Sequence, residues 1–386
     1  MKLFLTAGEP SGDALGAALI EGLKAIAPGV EFRGVAGPKM QAAGMESLYP
    51  MEELSVMGIM EVLPKYRSLL GRIDEAAQAA LAWEPDALIT IDSPDFSLRV
   101  AKRVRAASQI PTIHYVAPSV WAWRPQRAAK MARHIDHVLA LLPFEPPYMA
   151  AAGMSCDFVG HPVVNMKPVS AAAKADFRRE HGAAENARLL AVLPGSRRSE
   201  VERLLPVFGD AIAQSSLRNA RLVLPTLPHL VDSVHRLSKA LPTEPLIVTG
   251  EGQGAEEADQ ARRMAMAAAD FALAASGTIS LDLAAARTPM VIAYDMNWLS
   301  RQIIQRKLLI DTVTLVNLVS ETRAVPEFIG RDCTPAAIGA GLDALVAETG
   351  PQLDAMEATM ARLGEGGEPP GHRAARSVLA FLGAQI

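Results

Sequence analysis

Short apolar runs bounded by turn residues alternate with longer stretches of helical periodicity along this chain, and the whole arrangement then occurs a second time. Runs of that length suit buried strands, and the stretches between them are long enough for crossover helices, so the alternation predicts βαβ units and parallel sheets. In the first half the strands read as Leu3 to Ala7, Glu31 to Ala36, Ala87 to Ile91, Thr112 to Val116, His137 to Leu141 and Asp157 to Val159. In the second they read as Leu189 to Leu193, Arg221 to Pro225, Leu246 to Val248, Phe271 to Ala274 and Met290 to Ala293. A chain of 386 residues exceeds what one core usually holds, which predicts two Rossmann-like α/β domains in series. Gly160-His161-Pro162 and Lys167-Pro168 interrupt the periodicity, giving domains at 1–165 and 166–365 with a hinge at about 162 to 170. The loop Gly364 to Gly371 lets a terminal helix, 366–386, return to the first domain.

Composition removes several classes of function. Aromatic residues make up only 5%, which favours α/β layers over a β-sandwich, and a net charge of −4 argues against a general nucleic-acid binder. Cys156 and Cys333 lie far apart without metal-like spacing, and His134 and His137 have no companion ligands, so neither a disulfide framework nor a metal site is expected. The apolar start meets Glu9 and Asp13 too soon for a secretory leader. No stretch of about 18 uncharged apolar residues occurs, so any membrane contact is expected to be peripheral.

The turns after the strands carry the chemistry. Gly8-Glu9-Pro10-Ser11-Gly12-Asp13 follows the first strand and opens a helix at the carboxyl edge of the sheet, where open α/β sheets bind ligands. Its glycine spacing is not the dinucleotide fingerprint, and the Glu9 and Asp13 carboxylates suit sugar hydroxyls better than a pyrophosphate. The plainer reading is a turn in which Ser11 caps the helix. Asp92, in Ile91-Asp92-Ser93-Pro94-Asp95-Phe96, projects from the same edge and could take a proton from an attacking hydroxyl, while Asp95 is the better candidate for a cap. The loop from His114 to Arg124 gathers Trp121, Trp123 and Arg124, which could hold a sugar ring, an acyl chain or a phosphate; buried tryptophan anchors would look the same.

In the second half, Gly195, Ser196 and Arg197 follow a strand and offer a permissive backbone, amide donors and a guanidinium, which suits a diphosphate; a solvated basic turn is the competing account. Ser276-Gly277-Thr278 forms a second such turn, whose helix-end amides could stabilise a departing UDP, and Asp282 a turn later could bind ribose hydroxyls. An ordinary helix cap would also account for it. Finally, Met60, Val62, Leu63, Tyr66, Leu69 and Leu70 recur at three- and four-residue steps beside Lys65, Arg67 and Arg72, describing an amphipathic helix at about 57–73 that faces either a membrane and acyl chains or the core.

Taken in order, these motifs, with Gly34 to Pro38, Met51 to Leu54 and Gly160-His161-Pro162, resemble the lipid-A-disaccharide synthases over essentially the whole chain. The resemblance implies a GT-B fold, with two Rossmann-like domains facing a cleft, and an inverting transfer needing neither metal nor other cofactor. It implies UDP-2,3-diacylglucosamine and 2,3-diacylglucosamine 1-phosphate as substrates, and a β-1,6 disaccharide and UDP as products. Asp92 is then the candidate base for the acceptor's 6-hydroxyl, with Glu9 and Asp13 beside it. The Arg197 loop, the Ser276 turn and Asn317 would hold the nucleotide, with Asp282 where the family pattern has Glu. It further implies a cytoplasmic protein bound peripherally to the inner face of the cytoplasmic membrane, and is compatible with a homodimer. Two other functions fit the same residues: a UDP-sugar epimerase of similar fold, and a noncatalytic acyl-sugar-binding protein.

Overall fold

The structure, a computed structural model, describes residues 1–54, 59–183, 187–250, 254–296, 301–302 and 307–383, and leaves the side chains of 59–66 and 255 undescribed. The chain divides into two compact units, Met1–Val164 with Leu363–Ile386, and Asn165–Arg362.

In the first unit the strands are β1 (Lys2–Ala7), β2 (Glu31–Val35), β3 (Glu46–Ser47), β4 (Ala87–Ile91), β5 (Thr112–Tyr115), β6 (His137–Ala140) and β7 (Ser155–Phe158). They form one parallel sheet in the order β3-β2-β1-β4-β5-β6-β7. The second unit has β8 (Leu189–Leu193), β9 (Arg221–Pro225), β10 (Leu246–Val248), β11 (Phe271–Ala274), β12 (Met290–Tyr294) and β13 (Glu327–Ile329), in the order β10-β9-β8-β11-β12-β13, again all parallel. Both are α/β sheets of Rossmann type. β3 and β13 escape sequence reading because Glu46-Ser47 has no apolar residue and Glu327-Phe328-Ile329 only two, too few to make an apolar run.

Side-chain alternation explains why helices cover both faces. Leu3, Leu5 and Ala7 of β1 pack with Leu19, Ile20 and Leu23 of the Pro10–Ile26 helix, whereas Phe4 packs on the other face with Ile73, Ala76 and Val100. Every residue of β4 and of β8 is buried, as central strands of a parallel sheet require. Each such large apolar side chain contributes about 1.5–3 kcal/mol on burial.

The last helix, Pro370–Phe381, belongs to the first unit and lies backbone to backbone on the Pro10–Ile26 helix. A Cβ on Gly371 would come within 2.4 Å of the Ala18 carbonyl oxygen, and one on Gly22 within 2.5 Å of the Gly371 carbonyl oxygen, so neither position admits a side chain. Ser377 ties the helix to the sheet: it lies 2.8 Å from His137 Nε2 and donates to Asp157 at 2.6 Å.

In each sheet the strand order reverses between the first and fourth strands of the unit, β1 and β4, then β8 and β11. Pairing of Ala7 with Ile91, and of Leu193 with Ala274, makes those strands end level, so the turns that follow them lie side by side. Such reversal points are where open α/β sheets receive ligands.

Candidate functional site

At the first reversal point, the opening turn of the Pro10–Ile26 helix presses against the end of β4. Gly12 permits this, since a Cβ there would lie 3.2 Å from the Ile91 carbonyl oxygen and 3.6 Å from Asp92 Cβ. Ser11 does not cap its own helix; its hydroxyl donates to Asp92 Oδ2 at 3.0 Å. The Asp92 amide donates to the Tyr115 carbonyl at 2.9 Å, which anchors the turn to β5. Asp92 and Ser93 have φ of 49° and 42°, and Val116, just beyond β5, has 89°. Left-handed geometry at residues other than glycine costs about 1–3 kcal/mol each and gathers at functional turns. Behind Asp92, His114 is buried with Nδ1 2.8 Å from Thr90 Oγ1. Burial lowers its pKa to about 4 against the pull of the Asp92 charge, so the ring is neutral near pH 7.

Glu9 is exposed at the rim of an adjoining cavity of about 380 Å³, with Ser93, Asp95 and Arg99 also at its polar side. Leu54, Leu69, Leu70, Ile73 and Phe96 form the apolar wall. Asp92 is one residue from this lining but not part of it. Asp95 lies in the first turn of the Pro94–Ala107 helix and is not its N-cap, which is Ser93.

Several expected contacts turn out to be structural. Asp13 is buried and accepts from the Lys39 amide at 2.8 Å and the Met40 amide at 2.9 Å, so its carboxylate caps the short Pro38–Ala42 helix and is closed to a substrate. Trp121 is a core anchor: its Nε1 donates to Glu145 Oε1 at 3.2 Å and its ring meets Phe144 edge to face at 5.1 Å. Trp123, half-buried, and Arg124, exposed, remain available, with the guanidinium 4.1 Å over the indole. Along the Ile59–Trp83 helix, Leu69 and Leu70 are both half-buried and line the cavity, with Leu70 also packing against the core that contains Ile73. Arg72 is paired with Glu53 at 2.7 Å and Glu75 at 2.6 Å, which neutralises that part of the expected basic flank. The side chains of Met60, Val62, Leu63 and Tyr66 lie outside the described residues.

At the second reversal point, the turns after β8 and β11 line one cavity of about 470 Å³ that contains Gly195, Ser196, Arg197, Ser276, Gly277, Thr278 and Asp282 together. Gly195 and Gly277 have φ of 118° and 152°, conformations that glycine adopts without strain. Thr278, the N-cap of the Ile279–Ala286 helix, makes no side-chain cap bond, so its role at the helix start is not that of an ordinary cap. Asp282 is half-buried, and burial raises its pKa to about 6, with Arg263 opposing and Asp259 adding to the shift.

Two expectations fail here. The Ser196 and Arg197 amides are not free, because both donate to Glu200. Asn317 is fully buried and spends its amide on Thr312 Oγ1 at 3.2 Å and on the Val325 carbonyl and amide at 2.9 Å each; it staples a loop and does not touch the cavity. Sequence reading also missed a whole wall: Asp259, Arg262, Arg263 and Met266 of the Ala255–Ala268 helix, with Pro225 at the end of β9 and Leu227 beyond it. The adjacent Arg262-Arg263 pair was visible, but nothing in its spacing separates it from Arg178-Arg179 or Arg197-Arg198.

Comparison with known proteins identifies the family. The family model LpxB: lipid-A-disaccharide synthetase matches residues 3–368. The lipid-A-disaccharide synthase of Ruegeria pomeroyi is 58% identical over 381 residues, 98% of this chain and 95% of that protein. That of Rhodospirillum centenum is 45% identical over 393 residues, 100% of this chain and 96% of that protein. In fold the chain is similar to the UDP-GlcNAc 2-epimerase of Neisseria meningitidis bound to UDP-GlcNAc, with a TM-score of 0.65 over 99% of each chain at 12% identity. Identity that low speaks for the two-sheet GT-B architecture alone and does not favour the epimerase reading. The family match, spanning both reversal-point sites, decides the matter: the chain is a glycosyltransferase and belongs to the lipid-A-disaccharide synthetase family.

Proposed function

We propose that the enzyme condenses UDP-2,3-diacylglucosamine with 2,3-diacylglucosamine 1-phosphate, with inversion, to give the β-1,6-linked disaccharide 1-phosphate and UDP. The observation that carries this reading is the Ser11–Asp92 pair at the first reversal point, a carboxylate held by a hydroxyl at 3.0 Å beside a largely apolar chamber. Asp92 removes the proton of the acceptor's 6-hydroxyl as its oxygen attacks the anomeric carbon; the bond from that carbon to the diphosphate breaks, and its electron pair leaves with UDP. Attack opposite to the leaving group inverts the anomeric centre. Glu9, at the polar rim, accepts from sugar hydroxyls, and the apolar wall with Leu69 and Leu70 receives an acyl chain. Trp123 and Arg124 offer a face and a charge for the acceptor's sugar and phosphate.

In the second unit, Arg197 and the Ser276–Thr278 turn receive the diphosphate, and Asp282 accepts from the ribose. No helix among the described residues is long and apolar enough to cross a membrane. On the proposed reading the enzyme meets its lipid substrates peripherally, at the inner face of the cytoplasmic membrane. The decisive assay incubates the two diacylated substrates separately and together. Disaccharide and UDP should appear in equal amounts only with both present, and the new linkage should show the β anomeric coupling by NMR. UDP release from the nucleotide sugar alone, or an α linkage, would sink the reading.

A further inference from the structure

The turn after β8 has the composition of a phosphate cradle, yet one carboxylate already occupies it. Glu200 Oε2 accepts from the Ser196 amide at 3.1 Å and the Arg197 amide at 3.2 Å. Its Oε1 accepts from the Arg197 guanidinium and from the Tyr294 hydroxyl, each at 3.1 Å. Burial, then the Glu200 charge, raises the Tyr294 pKa above its ordinary value, so the phenol keeps its proton and donates. Gly195 makes room for this arrangement, since a Cβ there would lie 2.5 Å from Glu200 Oε2 and 2.7 Å from its Cβ. The carboxylate side chain is 13% exposed and the Arg197 side chain 74%. A guanidinium has five N–H donors, so the one spent on Glu200 leaves most of the fork for a ligand.

We propose that Glu200 is a positioning residue of the nucleotide-sugar site: it fills the anion position of the turn and aims Arg197, so the substrate's diphosphate is received by Arg197 and the Ser276–Thr278 turn, not by the Ser196 and Arg197 amides. The proposal rests on the reading that this cavity holds the nucleotide diphosphate. A phosphate seeking those amides would meet the carboxylate that already holds them, and two like charges cannot share the place. The rival arrangement, in which Glu200 plugs a phosphate site, predicts the opposite sign for one measurement.

That measurement is UDP affinity by calorimetry for the wild type, Glu200→Ala, Arg197→Ala and the double variant. Loss of Glu200 should weaken UDP binding about tenfold, in keeping with a lost charge-assisted contact. Adding Glu200→Ala to Arg197→Ala should cost little more, because Glu200 acts through Arg197. The KM for the nucleotide sugar should rise in parallel while that for the lipid acceptor stays put. If Glu200→Ala binds UDP as well as the wild type or more tightly, the proposal is overturned. Arg197→Ala is the separate control: UDP affinity unchanged in that variant would remove the nucleotide reading of the cavity itself. Should Glu200→Ala not fold, Glu200→Gln keeps an oxygen for the amides without the charge; it should weaken UDP about threefold, and unchanged or tighter binding overturns the proposal equally.

Discussion

The two units use one strand order and place their turns at the same topological position, but they fill that position with opposite chemistry. The turns after β1 and β4 carry Glu9, Ser11 and Asp92 beside an apolar chamber, whereas those after β8 and β11 carry Arg197 and small polar residues beside Arg262 and Arg263. Backbone conformation divides the same way. At the ends of β4 and β5, Asp92, Ser93 and Val116 take left-handed geometry without being glycine, while in the turns after β8 and β11 it falls to Gly195 and Gly277. A strained turn carries the Asp92 side chain, whereas a permissive Gly195 lets Glu200 fold back over the turn after β8. The sheet therefore supplies a location, and on the proposed function the residues at its edge decide whether that location handles a proton or a diphosphate.

Asp92→Asn gives the hardest blow to this division. It keeps the shape and the acceptor for Ser11 but abolishes the base, so turnover should fall about a thousandfold with UDP affinity unchanged. A single-turnover assay paired with UDP calorimetry checks both halves, and near-normal turnover would strip Asp92 of its role. Arg197→Ala should act in the other unit only: the KM for the nucleotide sugar should rise about 10- to 100-fold, the size of a lost charge-assisted contact. Steady-state kinetics with each substrate varied in turn would break the comparison if the acceptor's KM rose as much.

How far such a division can be read without a structure depends on the physics behind each signal. Central strands such as β4 and β8 are buried throughout, so their apolar runs are unmistakable, and the turns that follow them were found for that reason. Asp13 and Asn317 depart from expectation, and Trp121 takes the anchor reading that the sequence leaves open, because sequence shows that a polar group sits near a turn but not which partner it satisfies. All three hold the scaffold: Asp13 caps a helix 26 and 27 residues away, Asn317 staples Val325, and Trp121 reaches Glu145. The Arg262 and Arg263 wall was invisible because it depends on which helix packs beside β8 and β9, a long-range fact without a local pattern. Glu200 is legible only as an acid in the helix after the loop; that its side chain folds back over Gly195 is a contact that composition does not reveal.

Each unit also has an acid whose pKa burial raises, Glu145 in the first and Asp282 in the second, and the two can be told apart by what pH does to them. Asp282 faces the cavity and its pKa lies at about 6. As a ribose acceptor it binds best when ionised, so affinity for the nucleotide sugar should fall severalfold as pH drops through 6. Asp282→Asn should flatten that dependence while leaving the acceptor's behaviour unaltered. Identical affinity profiles for the two proteins between pH 5 and 8, by calorimetry, would remove Asp282 from the nucleotide site.

Glu145, in the first unit, faces the core, and its effect should appear in stability with the least change in turnover. Burial raises its pKa from 4.5 to about 7, against the bonds from the Leu142 amide and the Trp121 indole that favour the charged form. Between those two values the folded state holds a proton that the unfolded state has released. Its contribution is therefore fully present below about pH 4.5 and is lost as pH rises through 7, on the order of 3 kcal/mol in all. Glu145→Gln sets an amide N–H against one of the two donors, Leu142 N or Trp121 Nε1, so it should lower stability at every pH. The informative quantity is accordingly the slope and not the level. Urea unfolding at half-unit steps from pH 5 to 8 should show a decline in the wild type that is shallower in Glu145→Gln, with the Asp282→Asn protein as a reference from the other unit. Parallel curves for the wild type and Glu145→Gln would mean that Glu145 is ionised in the folded protein throughout, and that the Trp121 anchor rests on a charge-assisted hydrogen bond.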